Sequence, residues 1–242
     1  EDLTDEGISI INPFDWEEEF SEVFSNGGFD VVIGNPPYFN IDTWGIKSKP
    51  KEYIKKHYKN IWRDKTDILF YFIEKAISIS KSDVGFIVSN AFLFADKSDK
   101  LRNFILDNAP IKKIVNFEGY KVFKDANIST CIIFLNNNKN DTVKALGLER
   151  DNYTISELVK ILYDENNYFD LKLSKDDVFP IKNNSIMVLN KKIDNNYNKL
   201  SDLFYIGQGM QTGANNVYGF NEYPNQFPDE YIRKRVNVSD IE

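Results

Sequence analysis

The sequence predicts an α/β chain built around a mostly parallel sheet. Three observations carry that reading. Short β-branched apolar runs, bounded by turn residues, recur along the first 135 positions. Longer segments with apolar residues at helical spacing lie between them, and strand–helix alternation implies a sheet covered by helices on both faces. The last two runs stand too close for a parallel crossover, which needs a dozen or more residues, so they predict an antiparallel hairpin at the sheet edge.

The elements follow in order. Phe29-Asp-Val-Val-Ile-Gly34 is a short bounded run and reads as a buried strand. Asp67 to Ser80 places Leu69, Phe72, Ile73, Ala76 and Ile77 on one helical face. Val84 to Asn90 is a second buried strand. Ser98 to Asn108 is a helix on the spacing of Leu101, Phe104 and Ile105. Lys112 to Phe117 and Ser129 to Leu135 are the third and fourth strands, the last rich in β-branched residues.

Beyond Leu135 the character changes. The polar run 136–141 and the Asn-rich run 194–198 mark candidate boundaries. They divide the chain into a first domain over 1–140, an insert or linker over 141–198 and the start of another domain over 199–242. Within the insert, a helix is expected near Ile155 to Leu162 and a strand at Ser185 to Leu189.

The 242 residues carry 30 Lys+Arg against 37 Asp+Glu, a net charge of −7. The acidity is segregated. Residues 1–30 hold ten acidic and no basic side chains, so the rest of the chain is at +3. Lys47, Lys49, Lys51, Lys55, Lys56, Lys59, Arg63 and Lys65 crowd one stretch against Glu52 and Asp64, with Tyr53, Tyr58 and Trp62 interleaved. A basic loop with aromatics suits a nucleic-acid backbone. The plain alternative is a helix face whose lysines point to water.

Composition narrows the chemistry. At 42% hydrophobic residues the chain has material for a packed core. No window approaches the ~18 apolar residues of a membrane span, and the acidic start lacks the pattern of a signal peptide. One cysteine, Cys131, forms no internal disulfide, and with His57 as the single histidine the common His/Cys metal sites are excluded. A reduced, cytoplasmic setting without a membrane partner is expected. The reaction must rest on Asn, Asp, aromatics, backbone groups or a bound cofactor.

The candidate site lies where the first strand ends, at Asn35-Pro-Pro-Tyr38. In an open α/β sheet, ligands bind beyond the carboxyl ends of the strands. Two prolines stop the strand and fix φ, and Pro36 biases Asn35 away from the helical region. Neither proline has an N–H, so the turn is rich in acceptors. The Asn35 amide oxygen and a backbone carbonyl can take both hydrogens of a planar NH2 group while Tyr38 stacks on its ring. The plain alternative is a strand-terminating loop.

Segment 29–38 resembles motif IV of S-adenosylmethionine-dependent N6-adenine DNA methyltransferases. The wider layout resembles the gamma-class, TaqI-like enzymes and the large single-chain restriction–modification methylases. Asp67 to Ile77 is similar to the next family motif, Gly85 to Leu93 to the strand and loop after it, and Val122-Phe123 with Ser129 to Leu135 to the motif closing the catalytic domain. Leu200 to Asn216 resembles the start of a DNA target-recognition domain.

The resemblance implies roles. Asn35 and the Pro36 carbonyl would accept hydrogen bonds from the amine of a flipped-out adenine in double-stranded DNA. Tyr38 would stack on its face and Phe123 pack against it. Asp67 and Phe72 would belong to the S-adenosylmethionine pocket, although Phe72 and Phe123 also fit plain core positions. Lys47, Lys49, Lys51, Lys55, Lys56 and Lys59 would face the DNA backbone, and no metal is required. Partners would include other restriction–modification or defence subunits.

The departure from the family concerns the start. Gamma-class enzymes carry a glycine-rich cofactor loop upstream of motif IV. Here Gly27-Gly28 are the only paired glycines before Asn35, and they directly precede the strand. The expectation is the second half of a Rossmann-like methyltransferase sheet, with the upstream half of the cofactor site absent. Phe29–Gly34 would then be an exposed edge, and the piece would be inactive alone. Two other readings compete: a methyltransferase acting on protein glutamine amides, and a non-catalytic DNA-specificity module. Gly207-Gln-Gly-Met-Gln-Thr-Gly213 lacks the Lys-Ser/Thr of a phosphate-binding loop and reads as a turn near DNA. His57 is expected at the surface or near phosphate, and Cys131 in the core.

Overall fold

The computed structural model describes residues 14–45, 48–123, 128–136, 142–148, 150–182 and 184–205, with a few positions between 222 and 232. The chain divides into two compact units, Glu1–Ile193 and Asp194–Glu242. The described part of the second unit holds a short helix, Leu200–Leu203, and a 3-10 turn, Asp229–Tyr231. Lys47 and the stretch 207–213, with most of 200–216, lie outside the described residues.

The first unit is organised by a six-stranded sheet in the order β1-β2-β4-β3-β5-β6. The strands are β1 (Phe29–Gly34), β2 (Ser80–Ser89), β3 (Ile111–Asn116), β4 (Thr130–Asn136), β5 (Val143–Gly147) and β6 (Phe169–Leu171). β1 runs parallel to β2 and β3 parallel to β5, whereas β4 is antiparallel to both its neighbours and β6 to β5. Four of the six strands therefore point the same way. The crossover from β1 to β2 carries α1 (Lys49–His57) and α2 (Leu69–Ile79), and that from β2 to β3 carries α3 (Asp99–Asn108).

The period-two alternation of the strands builds two cores. Phe86, Ile114 and Ile133 face one side, where they pack with α2 and α3 through Ile73, Ile77, Leu101 and Ile105. Their neighbours Ile87, Val115 and Ile132 face the other side, under α4 (Ile155–Tyr163) through Leu158 and Leu162. Thr154 starts α4 with a reciprocal capping box to Glu157. Cys131 is fully buried, as its apolar strand implied, and burial pushes its thiol pKa up.

The start of β1 explains the paired glycines. Phe14, Trp16, Phe20 and Phe24 cluster around Phe29. The chain then turns into the strand through Gly27 and Gly28, at φ +89° and +111°. A Cβ on Gly28 would stand 2.6 Å from the Ile79 carbonyl oxygen at the end of α2, so position 28 admits only glycine.

Several expectations need correction. The β3–β4 pair is antiparallel but lies inside the sheet, because β5 and β6 extend it. For the same reason the polar run 136–141 does not separate the sheet from the region after it. β1 is not the buried strand its apolar run suggested; it is the exposed edge strand expected from the family layout, at the end of the sheet among the described residues, with Val31 and Ile33 57% and 79% exposed. Residues 185–189 are helical, within α5 (Asn184–Asn196), where Ile186, Leu189 and Ile193 recur at helical spacing. Among the described residues, no helix is long and apolar enough to cross a membrane and no cluster of three or more His, Cys, Asp or Glu side chains could hold a metal.

A last segment, 176–182, straps the far end of this unit back onto the sheet. Phe179 and Ile181 are fully buried, and the Phe179 N–H donates to the Leu93 carbonyl at 2.8 Å. Arg102, 3% exposed, holds the strap from α3. Its Nε donates to the Asp177 carbonyl, while Nη1 donates to the carbonyls of Phe92 and Ala95.

Candidate active site

β1 ends at Gly34, and the Asn35-Pro36-Pro37-Tyr38 turn leaves from its carboxyl end. Pro36 is buried and pins the turn; Asn35 is exposed and Tyr38 half-buried against the main core. The Tyr38 hydroxyl lies 2.6 Å from Asn35 Oδ1 and 2.9 Å from the carbonyl oxygen of Ile87 on β2. The turn is thus tied to the neighbouring strand through the tyrosine, and the amide is tied to the tyrosine. Burial, reinforced by Cys131 and Asp67, pushes the Tyr38 phenol up to about 12, so it stays a donor at ordinary pH.

Asp67 lies beside this turn. The segment after Tyr38 pairs with it: Asn40 bridges Asp67, the Ile68 N–H donates to the Phe39 carbonyl, and the Ile41 N–H donates to the Thr66 carbonyl. Asp67 Oδ1 accepts the N–H of Leu69, the first residue of α2, at 3.0 Å. Burial holds its carboxyl above the usual range, outweighing the backbone groups of Leu69 and Phe39.

Phe72, one turn along α2, is 44% exposed rather than plain core. With Trp44, Tyr53, Tyr58 and Tyr71 it lines a largely apolar pocket of about 310 Å³. Phe123 is half-buried, directly after Val122, which packs with Val115 and Phe117 on the other face of the sheet.

The basic stretch is a helix, not a loop. α1 begins with Pro50 in its first turn and ends on Lys55, Lys56 and His57, which suit the negative end of the helix dipole. Lys49, Lys55, Lys56 and Lys59 are exposed. Lys51 is not available to DNA. It is 8% exposed, its ammonium pairs with Asp42 and, at 3.0 Å, with Asp64, and those carboxylates raise its pKa. His57 is exposed and stacks on Tyr53, with ring centroids 4.2 Å apart.

Sequence reasoning missed a polar cluster at the same end of the sheet. Asn116 closes β3 with no exposed surface and bonds to Asn90, Glu118 and the strap. The signal was a lone Asn between Val115 and Phe117 in an apolar run, since a buried amide requires partners.

Comparison with known proteins adds an independent line. The family model of the Eco57I restriction-modification methylases matches residues 2–123. The type II restriction enzyme and methyltransferase RM.Eco57I of Escherichia coli is 30% identical over 226 residues, covering 88% of this chain and 21% of that protein. The type II methyltransferase M.HindII of Haemophilus influenzae is 25% identical, covering 90% of this chain and 45% of the relative. The chain thus spans about a fifth of the first and less than half of the second. Among solved structures, a nuclease-deletion mutant of the Type ISP restriction-modification enzyme LlaGI, in complex with a DNA substrate mimic, shares the fold. Its TM-score is 0.50 at 19% identity, over 73% of this chain and 17% of that one.

Proposed function

The chain belongs to the Eco57I restriction-modification methylase family, and from that premise we propose that it carries the catalytic turn of a site-specific DNA adenine-N6 methyltransferase. The observation that carries this reading is the Asn35–Tyr38 turn, which leaves a parallel strand at its carboxyl end with an exposed amide held by the Tyr38 hydroxyl.

S-adenosylmethionine is the cofactor, and the aromatic-lined pocket around Phe72 offers its purine ring a flat apolar surface. When bound, the cofactor supplies an electrophilic methyl group on a sulfonium centre. The chain's residues prepare the acceptor. An adenine amine is a poor nucleophile because its lone pair is delocalised into the ring. Asn35 Oδ1 and the Pro36 carbonyl accept its two hydrogens and favour the pyramidal nitrogen of the transition state. After transfer the methylated amine carries the positive charge and loses one proton to solvent water. No side chain forms a covalent intermediate. Tyr38 and Phe123 stack on the base, offsetting the few kcal/mol needed to flip it from the duplex. The exposed lysines of α1, with Lys59 just beyond it, bind the backbone of double-stranded DNA. The intact protein works within a restriction–modification or related defence system, alongside other subunits where these exist.

The test is expression of the full-length protein and its Asn35→Ala variant in a methylation-free host, with modified bases mapped by long-read sequencing. Methyladenine at one recurring sequence, lost in the variant, is the expected result. Soluble protein that binds S-adenosylmethionine but leaves no modified adenine would refute the DNA reading and favour a protein glutamine amide as acceptor.

A further inference from the structure

The proposed chemistry leaves the Asn116 cluster without a task. Asn116 Nδ2 donates to the Ile181 carbonyl at 2.8 Å and to Glu118 Oε1 at 3.1 Å. Its Oδ1 accepts Asn90 Nδ2 at 2.9 Å and the Glu118 N–H at 3.3 Å. Both donors and both lone pairs are used, so the amide has one orientation. Glu118 is held at φ +51°, in the left-handed region that a residue with a Cβ enters only at some cost. Its other carboxylate oxygen meets Lys182 Nζ at 2.9 Å, and that ammonium lies 5.3 Å from the centre of the Phe94 ring. Lys182 is delivered by the strap that Arg102 and Phe179 anchor. Three segments therefore meet at one amide: the residue after β2, the end of β3 and the strap.

The location ties this cluster to the site. Asn90 stands three residues beyond Ile87, whose carbonyl receives the Tyr38 hydroxyl. Five residues beyond Glu118 is Phe123. The Glu118–Lys182 pair is partly exposed, at 24% and 36% of the side chains, where an ion pair contributes little to stability. The pair does join the first residues after β3 to the strap.

We propose that Asn116, Glu118 and Lys182 are positioning residues that set the course of segment 118–123 and thereby aim Phe123 at the flipped base. The inference rests on reading Asn35–Tyr38 as the amine-methylating turn.

The test uses the full-length protein and a duplex carrying its mapped site, with either adenine or 2-aminopurine at the target position. Lys182→Met and Glu118→Gln are compared with Phe123→Ala, and Lys182→Arg serves as the conservative rescue. The expected result is unchanged thermal unfolding and unchanged KM for DNA, with kcat lowered about tenfold by the misaimed ring. The 2-aminopurine emission should move toward that of Phe123→Ala, and Lys182→Arg should restore both readouts. Wild-type kcat and emission in Lys182→Met and Glu118→Gln would overturn the proposal, as would a kcat loss that merely tracks loss of folded protein. A Phe123→Ala variant indistinguishable from wild type would overturn it too. A wild-type protein that neither methylates adenine nor alters the emission would instead bring down the reading of the turn, and this inference with it.

Discussion

The Tyr38 hydroxyl sits between two acceptors, 2.6 Å from Asn35 Oδ1 and 2.9 Å from the Ile87 carbonyl oxygen. It has one proton and donates to one of them at a time. Either way the contact fixes the phenol against β2 and the Asn35 amide against the phenol. A residue expected to stack on a base is thus also the brace of Asn35.

Tyr38→Phe separates those two tasks. The ring remains and the brace is lost, so single-turnover methyl transfer should slow about five- to tenfold, the worth of one ordinary hydrogen bond. Tyr38→Ala also removes the stacking face and should slow transfer by at least a further tenfold. Equal rates for wild type and Tyr38→Phe would show that the brace has no catalytic role.

The exposed lysines divide from the enclosed one in salt dependence. Replacing Lys55, Lys56 and Lys59 with Ala should weaken DNA binding and flatten the plot of log K against log salt by up to about 2.7 in slope, for three phosphate contacts on B-DNA. Lys51→Ala should instead lower thermal stability, because it strands Asp42 and Asp64, and leave the slope unchanged. Filter binding over a salt series, beside a melting curve, distinguishes the two classes.

Asp67 gives a pH signature. Its pKa in the folded state is raised by burial, so the folded chain holds that proton more tightly than the unfolded chain. This contribution favours folding at acid pH and is lost as pH rises through the raised value, above which a half-buried carboxylate is a liability. Asp67→Asn keeps an acceptor for the Leu69 N–H without the charge. The variant should melt higher than wild type near neutral pH, and the gap should close as pH falls through the Asp67 pKa. Melting curves between about pH 4 and pH 8 test it; a gap constant with pH would count against it.

The two glycines before β1 should differ. Gly28→Ala meets both a positive φ and the Ile79 carbonyl oxygen, and should cost about 2–3 kcal/mol in urea unfolding. Gly27→Ala meets only the positive φ, with nothing within 4 Å, and should cost about 1 kcal/mol.

Much of this architecture was legible in the residues. The first four strands are bounded apolar runs and each emerged near its predicted place, β2 starting four residues earlier at Ser80. The Asn35–Tyr38 turn was legible because two prolines permit few backbones. What escaped depended on partners distant in sequence. β5 and β6 are five and three residues long and exist because β3 offers an edge for β5. Ser185 to Leu189 carries strand-like residues, but the helical spacing extends past it to Ile193. Lys51 looked like its neighbours until Asp42 and Asp64 closed on it. Asn116 was invisible as a hub because its partners come from positions 90, 118 and 181.

The outer side of β1 carries a hazard of its own. Its backbone groups face no further strand among the described residues, Val31 and Ile33 stand exposed, and Ile33 and Phe134 flank the gap left by Gly85. Asp30, paired with Lys81, is the strand's single charged gatekeeper. Such a row is a template for pairing between molecules. Concentrated samples of these residues alone would self-associate through it, and a charge placed at Ile33 would be the simplest remedy for a preparation that precipitates.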